Sequence, residues 1–529
     1  MWGKEWRQQA WNQLDRVWDI LIIGGGITGA GILRQAVEEG YTALLVESGD
    51  FSSGTSSKSS KLIHGGFRYL RNKQFSVTRE SVHEREWLLK EARDLVTPLG
   101  FLMPCPHDPK VARQYSIGVI LYDLLASKWQ HSYLSRSEML KRCPDLESAD
   151  LNGGYLYYDA AMDDSRVILR LLGEAVAAGG TALNYTRASS LLKDASGQVR
   201  GAMLVDQSPA GMGEREVQAR VVINATGPWS DELRAQVGAP ARLRRLRGSH
   251  LVFSRERLNL RQAITLRHPG DHRAMFAIPW EGVTLVGTTD LDHAYPLAQG
   301  EPFTTPREID YILTAARDTF PSLGLGEADI LSSFSGLRPV VNTGQVDPSK
   351  ESRAHVVWEE NGLITITGGK YTTFRLMAEA ALQRVLPRLP HPANLAKRKH
   401  YFAEFSNGAS PSGLSAPQYR YLLGRYGSAT AELLAGTDPV ELQPIHHLPN
   451  IWAELRWTAR GGAVEHLDDL LLRRVRLGLL LPDGARTDME RIRALAQPEL
   501  GWSNERWDAE LTRYYDIYAK SYSPAPLGF

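Results

Sequence analysis

Asp19-Ile-Leu-Ile-Ile-Gly24-Gly25-Gly26-Ile27-Thr28-Gly29 is an apolar run of strand length that breaks directly into glycines. Gly24, Gly26 and Gly29 satisfy G-x-G-x-x-G. The residues up to Glu39 place Ala30, Leu33 and Val37 on one helical face, and Gly40 ends that helix. A second strand is predicted over Thr42 to Val46, and it delivers Glu47, 18 residues beyond Gly29. Each part has a physical reason. Glycines allow the tight turn and the close approach of backbone to a pyrophosphate, whose charge sits at the positive end of the next helix. An acid at the end of the second strand can accept hydrogen bonds from ribose hydroxyls. The order strand, glycines, helix, strand, acid points to a bound dinucleotide.

Two later segments point to FAD. One is the strand Ala219-Arg-Val-Val-Ile-Asn-Ala-Thr-Gly227. The other is Leu363-Ile-Thr-Ile-Thr-Gly-Gly369, which runs into a helix predicted to begin near Tyr371. Amides at that helix start suit the negative charge of a reduced flavin. The fold class expected is α/β: a discontinuous Rossmann-like FAD-binding domain, an inserted α+β substrate domain and a C-terminal helical domain.

After Glu47 comes Ser52-Ser-Gly-Thr-Ser-Ser-Lys-Ser-Ser-Lys-Leu-Ile-His-Gly-Gly-Phe-Arg-Tyr69. Its polar start runs straight into Ile63, Phe67 and Leu70, so it is expected to fold back over the cofactor. The cofactor-binding residues expected are Gly24, Gly26, Gly29, Glu47, Thr55, Ser56, Ser60, Leu62, His64, Gly66, Gly227 and Gly369. Arg68, His250, Arg338, Arg353 and Lys370 stand beside glycines or at strand ends near these segments. Arginine clamps phosphate or carboxylate with two parallel hydrogen bonds and lysine acts as a point charge, so the cluster suggests an anionic substrate.

The run Ser59-Ser-Lys-Leu-Ile-His-Gly-Gly-Phe-Arg-Tyr-Leu70 resembles the signature of the FAD-dependent, quinone-linked glycerol-3-phosphate dehydrogenases. So do Ile22 to Ile32, Ala225-Thr-Gly-Pro-Trp229, Gly287-Thr-Thr-Asp290 and Gly368-Gly-Lys-Tyr-Thr-Thr373. The resemblance covers about residues 19 to 385, and more loosely the tail. It implies oxidation of sn-glycerol 3-phosphate to dihydroxyacetone phosphate, with electrons leaving for a membrane quinone. It also implies that Arg68, Tyr69, Arg353 and Lys370 hold the phosphate, with His250 and Arg338 beside the reacting hydroxyl. His250 is favoured as the base, since an imidazole suits that task; His64, near the flavin, is its rival. Where the family commonly has Leu and Tyr, this chain has Tyr371 and Phe374, which bears on the pocket wall. An oxidase passing electrons to oxygen would share these residues, and a non-catalytic membrane-associated flavoprotein is a further alternative.

The chain has 529 residues, enough for two to four domains. With 61 Lys and Arg against 60 Asp and Glu, its net charge of +1 argues against nucleic acid as a partner. Two cysteines, Cys105 and Cys143, are too few for a disulfide framework or an iron–sulfur cluster, and suit a reducing compartment. No metal site is expected. The domain reading is an N-terminal helix over 1–18; an FAD-binding domain over 19–85, 155–230 and 331–385; and a substrate and membrane-contact domain over 86–154 and 231–330. A Ser/Gly/Pro-rich linker spans 405–417, and a helical domain 418–529. In that last part, Leu467 to Gly478 reads as an amphipathic helix that Gly478 stops.

Residues 1–18 lack the unbroken apolar stretch of a secretory signal, and no run approaches a bilayer span. The expected location is cytoplasmic, peripheral on the inner face of the cytoplasmic membrane. Val111 to Trp129 is the segment expected to touch lipid, with Ile117, Val119, Ile120, Leu121, Leu124 and Leu125 between Arg113 and Lys128-Trp129. The Trp-rich N-terminus is a second candidate, with packing on the protein's own core as its other reading. Assembly into a homo-oligomer is left open.

Overall fold

Strand Trp18–Ile23 lies at the heart of a parallel array, between Glu214–Asn224 on one side and Ala43–Val46 on the other. The computed structural model describes all residues except 1, 4, 67–74, 127, 147–150, 297–299, 347–350, 352, 391–399, 406, 407, 409, 412 and 525–529. Leu363–Gly368 and Thr181–Leu183 extend the array as parallel strands, and His355–Glu360 adds an antiparallel edge. Every residue of Ala43–Val46 is buried, as expected for a strand covered on both faces. Thr186–Lys193 and Val199–Asp206 pair antiparallel and join this first sheet through Glu214–Asn224.

Helix Ile27–Glu38 makes the crossover from the first strand to the second. A Cβ on Gly29 would come within 1.9 Å of the Gly24 carbonyl oxygen, so this glycine closes the turn from inside. A Cβ on Gly31 would meet the Phe374 ring at 2.7 Å, which brings helix Phe374–Val385 close against the same face.

Among the described residues, a second, mostly antiparallel sheet of ten strands forms the opposite wall. Its long members are Val96–Pro106, Leu151–Met162, Leu243–Ser254 and Ile330–Val341. Along one ladder His250 pairs with Gly287 and along the other with Phe334, while Leu246 pairs with Arg338. The register therefore sets His250 and Arg338 on neighbouring strands. This is the mixed α/β architecture expected, followed by helices from Ala416–Tyr426 to Asn504–Ser521.

The N-terminal helix is short, Trp6–Asn12, and it packs inward. Trp2, Trp11, Leu14 and Trp18 are buried, Trp2 lies against Phe51, and Arg7 pairs with Asp206 and Glu465. Core packing is thus the reading that holds for this segment. Gly478 does not stop a helix. The turn Asp469–Arg474 is closed off by Val475 and Arg476, the latter with φ +62°, and Gly478 sits inside the next turn, Leu477–Leu480. There a Cβ would press on the Tyr514 hydroxyl at 2.5 Å. Gly478 is needed for tertiary contact, which its place in the sequence does not reveal.

Candidate active site

A cavity of about 640 Å³ runs between the two sheets, at the C-terminal ends of Trp18–Ile23, Glu214–Asn224 and Leu363–Gly368. That is where open α/β sheets bind ligands. Gly24, Gly26, Glu47, Thr55, Ser56, Ser60, Leu62, His64, Gly66, Gly227 and Gly369 all line it. Gly29 does not, because it faces the Gly24 carbonyl inside the turn. Gly24 has φ +118°, and a Cβ there would stand 2.5 Å from the Ala225 carbonyl oxygen. Glycine is required on both counts.

At the nucleotide end, Glu47 accepts hydrogen bonds from the Gly25 amide at 2.7 Å and the Gly49 amide at 2.9 Å. Burial pushes its carboxyl up, and these amides oppose that rise. The Ile27 amide, at the start of the crossover helix, donates to Ser56 Oγ at 3.1 Å. Thr55 donates to the Leu337 carbonyl, which ties the serine-rich loop to the second sheet. Glycine-lined backbone, a helix N-terminus and an acid at the second strand's end are the features that a dinucleotide's pyrophosphate and ribose require.

The other end is cationic. His250 is buried and stacked on Phe334, with ring centroids 4.8 Å apart. Its Nε2 lies 2.8 Å from Ser60 Oγ, and its buried Nδ1 has no hydrogen-bond partner among the described residues. Burial, then Arg338 and Lys61, hold its pKa well below the usual imidazole value. Those three causes favour the uncharged imidazole. Arg338 donates to Asp290 Oδ1 at 2.9 Å and to the Thr288 hydroxyl at 3.1 Å. Arg353 reaches the other Asp290 oxygen at 3.3 Å. Lys370 donates to Ser81 Oγ at 2.6 Å, and burial followed by Arg353 brings its amine down to about 7, against the pull of Glu80. His64 lines the same cavity. Arg68 and Tyr69 fall outside the described residues.

Two residues here escape the sequence reading. Asp290, which gathers the arginines, is legible only as the end of a motif, and Arg273, which also lines the cavity, sits in a polar hairpin without local pattern. Tyr371 lines the cavity with its hydroxyl donating to the Asp164 carbonyl, whereas Phe374 packs away from it on Gly31. Only one of the two departures from the family pattern thus touches the cavity wall.

Residues 19–375 match the family of FAD dependent oxidoreductases, and residues 365–507 match the C-terminal domain of alpha-glycerophosphate oxidase. The chain is 35% identical over 534 residues to glycerol-3-phosphate dehydrogenase 2 of Mycobacterium tuberculosis, covering 97% of this chain and 90% of that protein. The chain belongs to the FAD-dependent glycerol-3-phosphate dehydrogenase family. Within that family it is also 34% identical over 496 residues to the aerobic glycerol-3-phosphate dehydrogenase of Staphylococcus epidermidis, covering 88% and 87% of the two chains. Among solved structures it is similar to the glycerol-3-phosphate dehydrogenase from Bacillus halodurans complexed with FAD. That likeness has a TM-score of 0.78 and 28% identity, and spans both chains in full. FAD is the cofactor of this family, and the glycine-lined end of the cavity fits it.

Proposed function

We propose that this protein oxidises sn-glycerol 3-phosphate to dihydroxyacetone phosphate and passes the electrons to a membrane quinone. The observation that carries this reading is one cavity with glycine-lined backbone at one end and His250, Arg338, Arg353 and Lys370 at the other. Bound FAD supplies a hydride acceptor for the C2 hydrogen. His250 takes the hydroxyl proton, and His64 in the same cavity is its rival for that role. Arg338 stabilises the developing alkoxide. Arg353 and Lys370 hold the phosphate, together with Arg68 and Tyr69.

The membrane part of the proposal rests on helix Pro109–Ala126. Ile117, Leu121 and Leu124 are 49%, 36% and 61% exposed at i, i+4, i+7 spacing, and Trp129 beyond them is 66% exposed. Val119 and Tyr122 face inward instead. The exposed stripe suits a helix lying in the headgroup region, where lipid-soluble quinones are reached without a span. No helix among the described residues is long and apolar enough to cross a membrane.

The test is anaerobic. Glycerol 3-phosphate should bleach the bound flavin, plain glycerol should not, and added quinone should restore the oxidised spectrum faster than oxygen does. Equal bleaching by glycerol would sink the substrate; faster recovery with oxygen would make the protein an oxidase.

A further inference from the structure

Asp290 is buried, and three arginines converge on it. Arg338 Nη1 lies 2.9 Å from Oδ1, while Arg273 Nη2 and Arg353 Nη2 lie 3.2 and 3.3 Å from Oδ2. Each belongs to a different element. Arg273 leads into strand Ala274–Trp280, Arg338 lies on Ile330–Val341, and Arg353 precedes His355–Glu360. All three line the cavity. The Nε groups of Arg273 and Arg353 are buried without a hydrogen-bond partner among the described residues. One carboxylate cannot neutralise three guanidiniums, and buried donors without acceptors are costly. Among the described residues the nearby acids are engaged mainly elsewhere, although Asp271 also acts electrostatically on Arg273. Asp271 is turned to the Arg273 amide and the Tyr311 hydroxyl, and Glu80 acts on Lys370.

We infer that Arg273 is a third guanidinium of the anion subsite, and that it makes the site select a doubly charged phosphate monoester over a singly charged ester. This deepens the reading above and rests on it. A phosphomonoester with its second pKa near 6 carries close to two charges at pH 7 and presents three strong acceptor oxygens. Asp290 is the positioning residue. By holding the tips of Arg273 and Arg353 on one oxygen, it keeps two like-charged groups side by side with donor edges unspent. A neutral or singly charged ligand would leave part of that excess unmatched.

The experiment follows anaerobic flavin bleaching in the FAD-loaded protein, with glycerol 3-phosphate and with its methyl phosphodiester, which has only one charge. Arg273→Ala should raise the half-saturating concentration of the monoester at least tenfold, about 1.4 kcal/mol. The limiting rate of bleaching should change less than about threefold, and half-saturation by the diester should barely move. Arg273→Lys keeps a charge on Asp290, folds if the alanine variant does not, and should give a smaller loss of the same kind. Unchanged half-saturation for the monoester overturns the role of Arg273, and so does an equal loss for both esters, which would make it a purely structural partner of Asp290. A wild-type flavin that glycerol 3-phosphate does not bleach would overturn the proposed activity itself.

Discussion

For the proposed base, His250 offers a ring held in place and an imidazole whose uncharged form is favoured by burial, Arg338 and Lys61. Phe334 fixes the ring plane and Ser60 engages one nitrogen. His250→Gln should retain FAD yet lower the limiting rate of flavin reduction by roughly 10² to 10⁴, the usual contribution of a positioned base. Stopped-flow bleaching measures this, and a loss below threefold would pass the role to His64. Lys370 makes a second prediction at this scale. With its amine at about 7, the charged form that attracts phosphate is lost as pH rises through that value. The kcat/KM for glycerol 3-phosphate should therefore fall between pH 7 and 9 in the wild type. Lys370→Arg, charged throughout, should flatten that limb. A limb that persists in the variant belongs to another group. What was readable at this scale is what local chemistry demands. Gly24 shows in the sequence because its backbone conformation requires glycine, but Arg273 does not, since its partner Asp290 meets it only through sheet pairing.

At the scale of elements, helix Pro109–Ala126 has two unlike sides. Its inward side is tied beneath the cavity: the Gly65 amide donates to the Tyr122 hydroxyl at 2.8 Å, Tyr122 donates to Asp159, and Arg85 pairs with Asp159 at 2.7 Å. Its outward side carries Ile117, Leu121 and Leu124. The apolar run was visible in the sequence, but the division of Val119 from Leu121 needed the fold. Replacing Ile117, Leu121 and Leu124 together with Ser should release the protein from anionic lipid vesicles and slow quinone reduction at least tenfold. Reduction of a soluble dye should stay within twofold, because no inward contact is changed. Full sedimentation of this variant with vesicles at high salt would dismiss the helix as the contact.

For the molecule as a whole, the question is what docks the C-terminal helices on the cofactor-binding sheet. Arg473, Arg474 and Arg476 lie within the segment that reads in sequence as an amphipathic helix, yet all three are buried. Arg474 clamps Asp50 with two hydrogen bonds of 2.6 and 2.8 Å, and Arg473 joins it. Arg476 and Arg425 pair with Asp163. Asp164, beside it, also accepts from Arg476, Lys61 and Ser59, so the same cluster steadies the loop that presents Ser60 to His250. Partners from 262 to 424 positions apart leave no local trace, which is why the sequence shows only a helical domain there. Burial works to raise the Asp50 carboxyl, but Arg474 and Arg473 outweigh it and hold it at about 2. A depressed carboxyl contributes stability above its unfolded value near 3.9, and that stability is lost as pH falls from there through 2. Breaking such a buried pair from one side typically costs about 3–5 kcal/mol, because the opposite charge stays buried. Asp50→Asn should therefore lower the unfolding temperature by several degrees at pH 7 and speed FAD loss. The penalty should shrink as pH is lowered from 4 towards 2, where the wild-type carboxylate is itself protonated. Calorimetry and flavin fluorescence across that range check it. A variant as stable as the wild type at pH 7 would mean that apolar packing alone docks the domain.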